Sequence, residues 1–129
     1  MDKETLLFRQ VHPSWMVGDM ISQQVFSSQT FKPTPKDGGL LSVYNGKVFD
    51  AYTAYEHFTS QEHPSVGVVA VTPNECDTIP VPVMEDNHPF EGHCSLDYRQ
   101  LSGSSIKRAA STLKAFAQHR GWQYKLENE

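Results

Sequence analysis

The run VGVVAVT at residues 66–72 constrains the fold more than any other stretch of this chain. It is small, β-branched and nearly continuous, without polar alternation, so it reads as a strand that is apolar on both faces. Such a strand must be covered from two sides, and its expected place is the centre of a sheet. Helices are available as cover. Ile106, Ala109, Ala110, Leu113, Phe116 and Ala117 recur at helical spacing and predict an amphipathic helix over 106–120, the longest in the chain. Ser104 or Ser105 is its expected cap, His119 and Arg120 suit its negative end, and Gly121 suits the residue just past it. A shorter helix is predicted after Asp50, a good N-cap, with Ala51, Ala54, Tyr55 and Phe58 as its buried stripe.

Shorter strand-like segments surround these. Residues 6–11 alternate, with Leu7, Arg9 and Val11 on one face and Phe8 and Gln10 on the other. Pro13 ends that strand, Trp15 and Met16 cover the core edge, and Gly18-Asp19 reads as a turn. Residues 20–26 read as a second strand, 27–30 as a polar loop, and 40–44 as a short buried strand closed by the turn signal Asn45-Gly46. Pro73 or Asn74 opens one helical turn after the valine run. Residues 79–84, IPVPVM, alternate proline with apolar residues, which suits a sheet edge. In the segment 93–98, Cys94, Leu96 and Tyr98 share one face, and His93, Ser95 and Asp97 the other. Trp122, Tyr124 and Leu126 predict a short last strand. The order implies an α+β fold: a single domain, 1–129, with a mostly antiparallel or mixed sheet packed by a short middle helix and a longer C-terminal helix.

Charge and hydropathy narrow the function classes. A formal net charge of −4 argues against sequence-independent binding to nucleic acid, although Lys107, Arg108 and Lys114 share one late segment. No apolar run approaches the roughly 20 residues that span a bilayer. The opening MDKETLLFRQ mixes acids with bases, unlike a signal peptide, so a cytoplasmic location is expected. In that setting Cys76 and Cys94 are expected to be free thiols.

Chemistry-bearing side chains concentrate in the first half. Arg9 and His12 fall on or just after the first strand, Ser42 and Tyr44 on the strand at 40–44, and Glu56 and His57 on the helix that follows. This layout resembles the small ADP-ribosyltransferase-like folds, including the RES-domain toxins. The resemblance implies that Arg9 binds a pyrophosphate, Tyr44 stacks on nicotinamide with Ser42 beside it, and Glu56 holds the ribose hydroxyls of NAD. The phrases FRQVHPSW, FKPTPKDGGLLSVYNG and YEHFT also resemble a family of small uncharacterised bacterial proteins. Read without the resemblance, Arg9 is either a strand-edge arginine whose stem covers the core while its head reaches water, or an inward arginine that binds an anion. Tyr52 and Glu56, one helical turn apart, are placed to touch.

Two further constellations carry less. His88, His93 and Cys94, with Asp86 or Cys76, have a spacing that matches no zinc pattern, so no metal is expected. His93 and Cys94 are strand neighbours that point to opposite faces, so the histidine is not placed to activate the thiol. The leading expectation is a binding or regulatory module without cofactor. Its contact surfaces are the loop bearing Lys32, Lys36 and Asp37 and the proline-rich edge. The expected partner is a protein, a second copy included, and not a membrane. The first alternative is an NAD-binding enzyme of the ADP-ribosyltransferase kind. The second is a hydrolase with His12, His57 or His93 as its base.

Overall fold

The computed structural model describes residues 1–17 and 25–126. Its elements are β1 (Leu7–Val11), β2 (Met16–Val17), β3 (Val25–Phe26), β4 (Leu40–Asn45), α1 (Ala51–Thr59), β5 (Gly67–Val71), α2 (Pro73–Asp77), β6 (Val83–Met84), β7 (His93–Asp97), α3 (Gly103–Arg120) and β8 (Tyr124–Lys125). Six strands form one sheet in the order β6-β7-β4-β1-β5-β8, and β2 pairs with β3 apart from it. Every pairing is antiparallel. This is the α+β architecture expected, with β6 on the edge, directly after Pro80 and Pro82.

Strand parity divides the core in two. On one face Leu7, Val11, Leu41, Val43, Val69, Val71, Cys94 and Leu96 lie under Ala109, Ala110, Leu113 and Ala117 of α3, with Phe26 and Phe31 filling the side. On the other face Phe8, Tyr44, Val68 and Ala70 meet Ala54 of α1, with Phe49, Tyr55, Phe58 and Phe90 at the rim. Helix α1 has only nine residues, so it is about 13 Å long. It packs on β5, β1 and β8. Six strands at about 4.8 Å spacing are roughly 24 Å across, so α1 covers only part of its face; it meets β4 at Tyr44, whose hydroxyl lies 2.9 Å from His57 Nδ1. The loop 85–92 packs over the β4–β7 side through Phe90, and a cavity opens between loop and helix.

The structure corrects several expectations. The valine run is buried from Gly67 to Val71 and covered on both faces, but it lies one strand in from the edge; β4 and β1 form the middle. β8 supplies only two pairs to it, at Gly67 and Val68, so the last strand is too short to be recognised as the rim from its pattern alone. Helix α3 begins at Gly103, with Ser102 as N-cap; Ser104 and Ser105 are inside it. Ser102 is extended, and its carbonyl accepts the first helical bond from Ile106 at 2.8 Å. Residues 28–31 form a 3-10 turn rather than a loop, because the Ser27 side chain accepts from the Gln29 amide. Of the strand expected over 20–26 only Val25–Phe26 is described; residues 20–24 and the Gly18-Asp19 turn lie outside the described residues.

Local chemistry explains the remaining elements. Asp50 accepts from the Thr53 amide while the Thr53 hydroxyl bonds back to the Asp50 amide, a capping box that starts α1. Thr72 and Glu75 do the same for α2. Arg120 then ties α3 to this corner, bidentate to Glu75 at 2.8 and 3.0 Å and donating to the Ala70 carbonyl at 2.8 Å. Among the described residues no helix is long and apolar enough to cross a membrane.

Candidate functional site

The register of β4 and β7 creates the site. Ser42 lies opposite Ser95 and Tyr44 opposite His93, so all four project to the α1 face. Leu41, Val43, Cys94 and Leu96 project to the α3 core. Three turn contacts hold the 85–92 loop above this polar strip. The Asn87 amide donates to the His93 carbonyl at 3.0 Å, the His93 amide to the Phe90 carbonyl at 3.1 Å, and the Gly92 amide to the Asn87 side chain at 2.9 Å. Gly92 has φ +95°, and a Cβ there would lie 2.7 Å from the Phe49 ring, so only glycine fits this return.

A continuous hydrogen-bonded chain results. Ser42 Oγ lies 3.0 Å from His93 Nε2, and His93 Nδ1 lies 2.7 Å from Asp86 Oδ1. Asp86 Oδ2 accepts from the buried Ser95 hydroxyl at 2.6 Å. With the carboxylate accepting at Nδ1, the imidazole proton sits there, and Nε2 presents its lone pair to Ser42. Burial works to raise the Asp86 carboxyl. The hydrogen bonds from Ser95 and His93, and the attraction of His93 in its protonated form, outweigh it and hold the group below its ordinary value. Ser42 is exposed while His93 is mostly buried and meets the cavity at its edge, so the serine is open to a ligand. A hydroxyl, a base and an orienting carboxylate in this order are the parts of an activated nucleophile.

The chain opens on a cavity of about 170 Å³ lined by Arg9, Gln10, Ser42, Tyr44, Phe58, Gln61, His63, Pro89, Phe90 and His93. That is below the roughly 300–1,000 Å³ usual for drug-sized ligands. A second cavity of about 150 Å³ adjoins it and shares Arg9, Gln10, Phe58 and His63; His12, Trp15 and Pro64 complete its wall.

Arg9 corrects another expectation. It is not on an edge strand, and two main-chain carbonyls and an indole ring hold its head. β1 pairs with β4 only at Leu7↔Asn45 and Phe8↔Tyr44, while β1 with β5 and β4 with β7 each run for five pairs. Past Phe8 the two middle strands part, and Arg9 bridges the gap. Its Nε donates to the Thr30 carbonyl at 2.7 Å and its NH1 to the Ser42 carbonyl at 3.0 Å, with the guanidinium 5.5 Å over the Trp15 ring. Burial lowers its pKa to about 10, against the opposing influence of Asp37 and Tyr98, so it remains a cation at neutral pH.

The other sequence candidates fall around this centre. Tyr44 lines the cavity, but its ring is packed by Phe49 and Phe90 at 4.9 and 5.2 Å, and burial pushes its phenol up to about 12. Its hydroxyl lies 2.9 Å from Nδ1 of His57, which also meets Gln61, so His57 stands one layer behind the cavity wall. Glu56 is exposed on the outer side of α1 and accepts from Tyr52 at 2.9 Å, away from Arg9 and Ser42. His12 accepts at Nδ1 from the Ser14 amide at 3.0 Å and lines the adjoining cavity. Lys32 borders a separate open groove with Lys107, Lys36 is exposed, and Asp37 accepts from the Thr34 amide and hydroxyl of its own loop. Cys94 and Cys76 are buried in the α3 core, with burial raising both thiols to about 11 and 12. Among the described residues no three His, Cys, Asp or Glu side chains converge on a metal position.

Sequence reasoning named Ser42, His93 and Asp86 singly and missed them as one chain; it placed Ser95 and Gln10 on strand faces without a site role, and it did not single out His63. Strand parity gave part of the signal, since it set His93 with Ser95 on one face. No protein-family model, curated protein or solved structure matches this chain.

The Asp86 network also sets a pH dependence. A carboxyl held low in the folded state adds stability that is fully present above its unfolded value, about 3.9, and is lost as pH falls through the lowered folded value. Asp86→Asn is therefore expected to lower the melting temperature at pH 7, and the gap from the unmodified protein is expected to close in scans below about pH 4. A gap that is constant across that range contradicts this assignment.

Proposed function

We propose that the chain is a serine hydrolase acting on esters of small acyl groups. The observation that carries the reading is the Ser42–His93–Asp86 chain ending at an exposed hydroxyl in a small cavity. Ser42 Oγ attacks the carbonyl carbon as its proton passes to His93 Nε2, and Asp86 holds the imidazole and favours the imidazolium. The tetrahedral adduct collapses, the ester C–O bond breaks, and the alcohol leaves with the proton from His93. The same base then takes a proton from water, which attacks the acyl-Ser42 ester; the Oγ–C bond breaks, His93 returns the proton to Ser42 Oγ, and the acid leaves. The cavity volume favours acyl groups of a few carbons.

The test is release of p-nitrophenol from acetate, butyrate and decanoate esters. Turnover of the two short esters well above that of decanoate, removed by Ser42→Ala, supports the reading; no Ser42-dependent turnover overturns it. A second reading, an ADP-ribosyltransferase-like NAD site, draws on Arg9, Ser42 and Tyr44 lining one cavity. It predicts a rise in melting temperature with NAD and no ester hydrolysis.

A further inference from the structure

We infer that Arg9 forms a carboxylate subsite beside Ser42, so that the ligand of this cavity is a short acyl compound bearing an anionic end. Arg9 sits at the junction of the two cavities and lines both. Two of its five N–H groups reach main-chain carbonyls, at Thr30 and Ser42. Its NH2 has no hydrogen-bond partner, and no carboxylate lies within ion-pair distance of it, among the described residues. Asp37 is near enough to favour the cation, but it is not within ion-pair distance, and its Oδ2 accepts from Thr34. A partly buried charge with donors left over is costly unless an anion completes it. The two carbonyls and the Trp15 ring fix the plane of the guanidinium, which leaves a preset fork of the kind that binds a carboxylate through two parallel bonds. Lysine would not reproduce that fork.

The inference rests on the hydrolase reading only for calling the carboxylate part of a substrate; the subsite itself is tested by binding. The probes are butyrate and butyramide, matched in shape and different in charge, measured by thermal shift and calorimetry on the unmodified protein and on Arg9→Gln and Arg9→Lys. Butyrate is expected to bind the unmodified protein at least about fivefold more tightly than butyramide. Arg9→Gln is expected to remove that difference and Arg9→Lys to reduce it. Equal affinity for the two probes, or a butyrate preference that survives in Arg9→Gln, overturns the subsite. If Arg9→Gln does not fold, the comparison of the two probes on the unmodified protein and on Arg9→Lys decides. Butyrate preference without Ser42-dependent ester turnover would keep the subsite and remove the hydrolase reading; turnover without the preference would do the reverse.

Discussion

Replacing Ser42 with alanine is expected to lower kcat/KM for short-chain ester hydrolysis by about 10³-fold or more while leaving the fold intact. The substitution removes one exposed hydroxyl from β4 and changes none of the ladder partners on β7. His93 keeps its bond to Asp86, and water in the cavity replaces Ser42 at Nε2. The melting temperature should therefore stay within about 3 °C of the unmodified protein, as for most surface substitutions. His93→Ala should cost activity on the same scale, and the double variant little more, because the two groups act as one unit. Additive losses, or full activity in Ser42→Ala, would mean that the hydroxyl and imidazole are neighbours without a shared task.

The largest stability effect is expected at Phe31. Its side chain is fully buried between the sheet and α3, and its carbonyl accepts the buried Tyr98 hydroxyl. The preceding residue, Thr30, gives its carbonyl to Arg9. Phe31→Ala opens a cavity in the principal core and is expected to cost about 3–5 kcal/mol, read as a shift of the urea midpoint at unchanged slope. It should also loosen the main-chain support of Arg9, so any folded fraction should bind butyrate less well. A cost under about 1 kcal/mol would show that the 28–31 turn is not part of the core.

The layers were legible in the sequence because they depend on short-range pattern. The stripe of Ala109, Leu113 and Ala117, the Asp50 cap and the proline-marked edge each follow from spacing or from one residue's stereochemistry. The Tyr52–Glu56 contact was equally legible, being one helical turn long. The site was not, for a physical reason. Ser42 and His93 are 51 residues apart, and strand parity says which face each takes without saying that β4 and β7 are neighbours in that register. Asp86 arrives from an irregular loop whose path depends on Gly92 and Asn87, both at positive φ. Arg9 misled because the splaying of β1 from β4 is a feature of pairing, which single-strand alternation does not carry.

Covalent capture tests the central claim most directly. Native protein is treated with a small fluorophosphonate, and its intact mass and peptide map are recorded. The account predicts one adduct, on Ser42, formed at neutral pH and slowed strongly by His93→Ala. An unmodified Ser42 under conditions that label an ordinary serine hydrolase, or labelling that ignores His93, would contradict it.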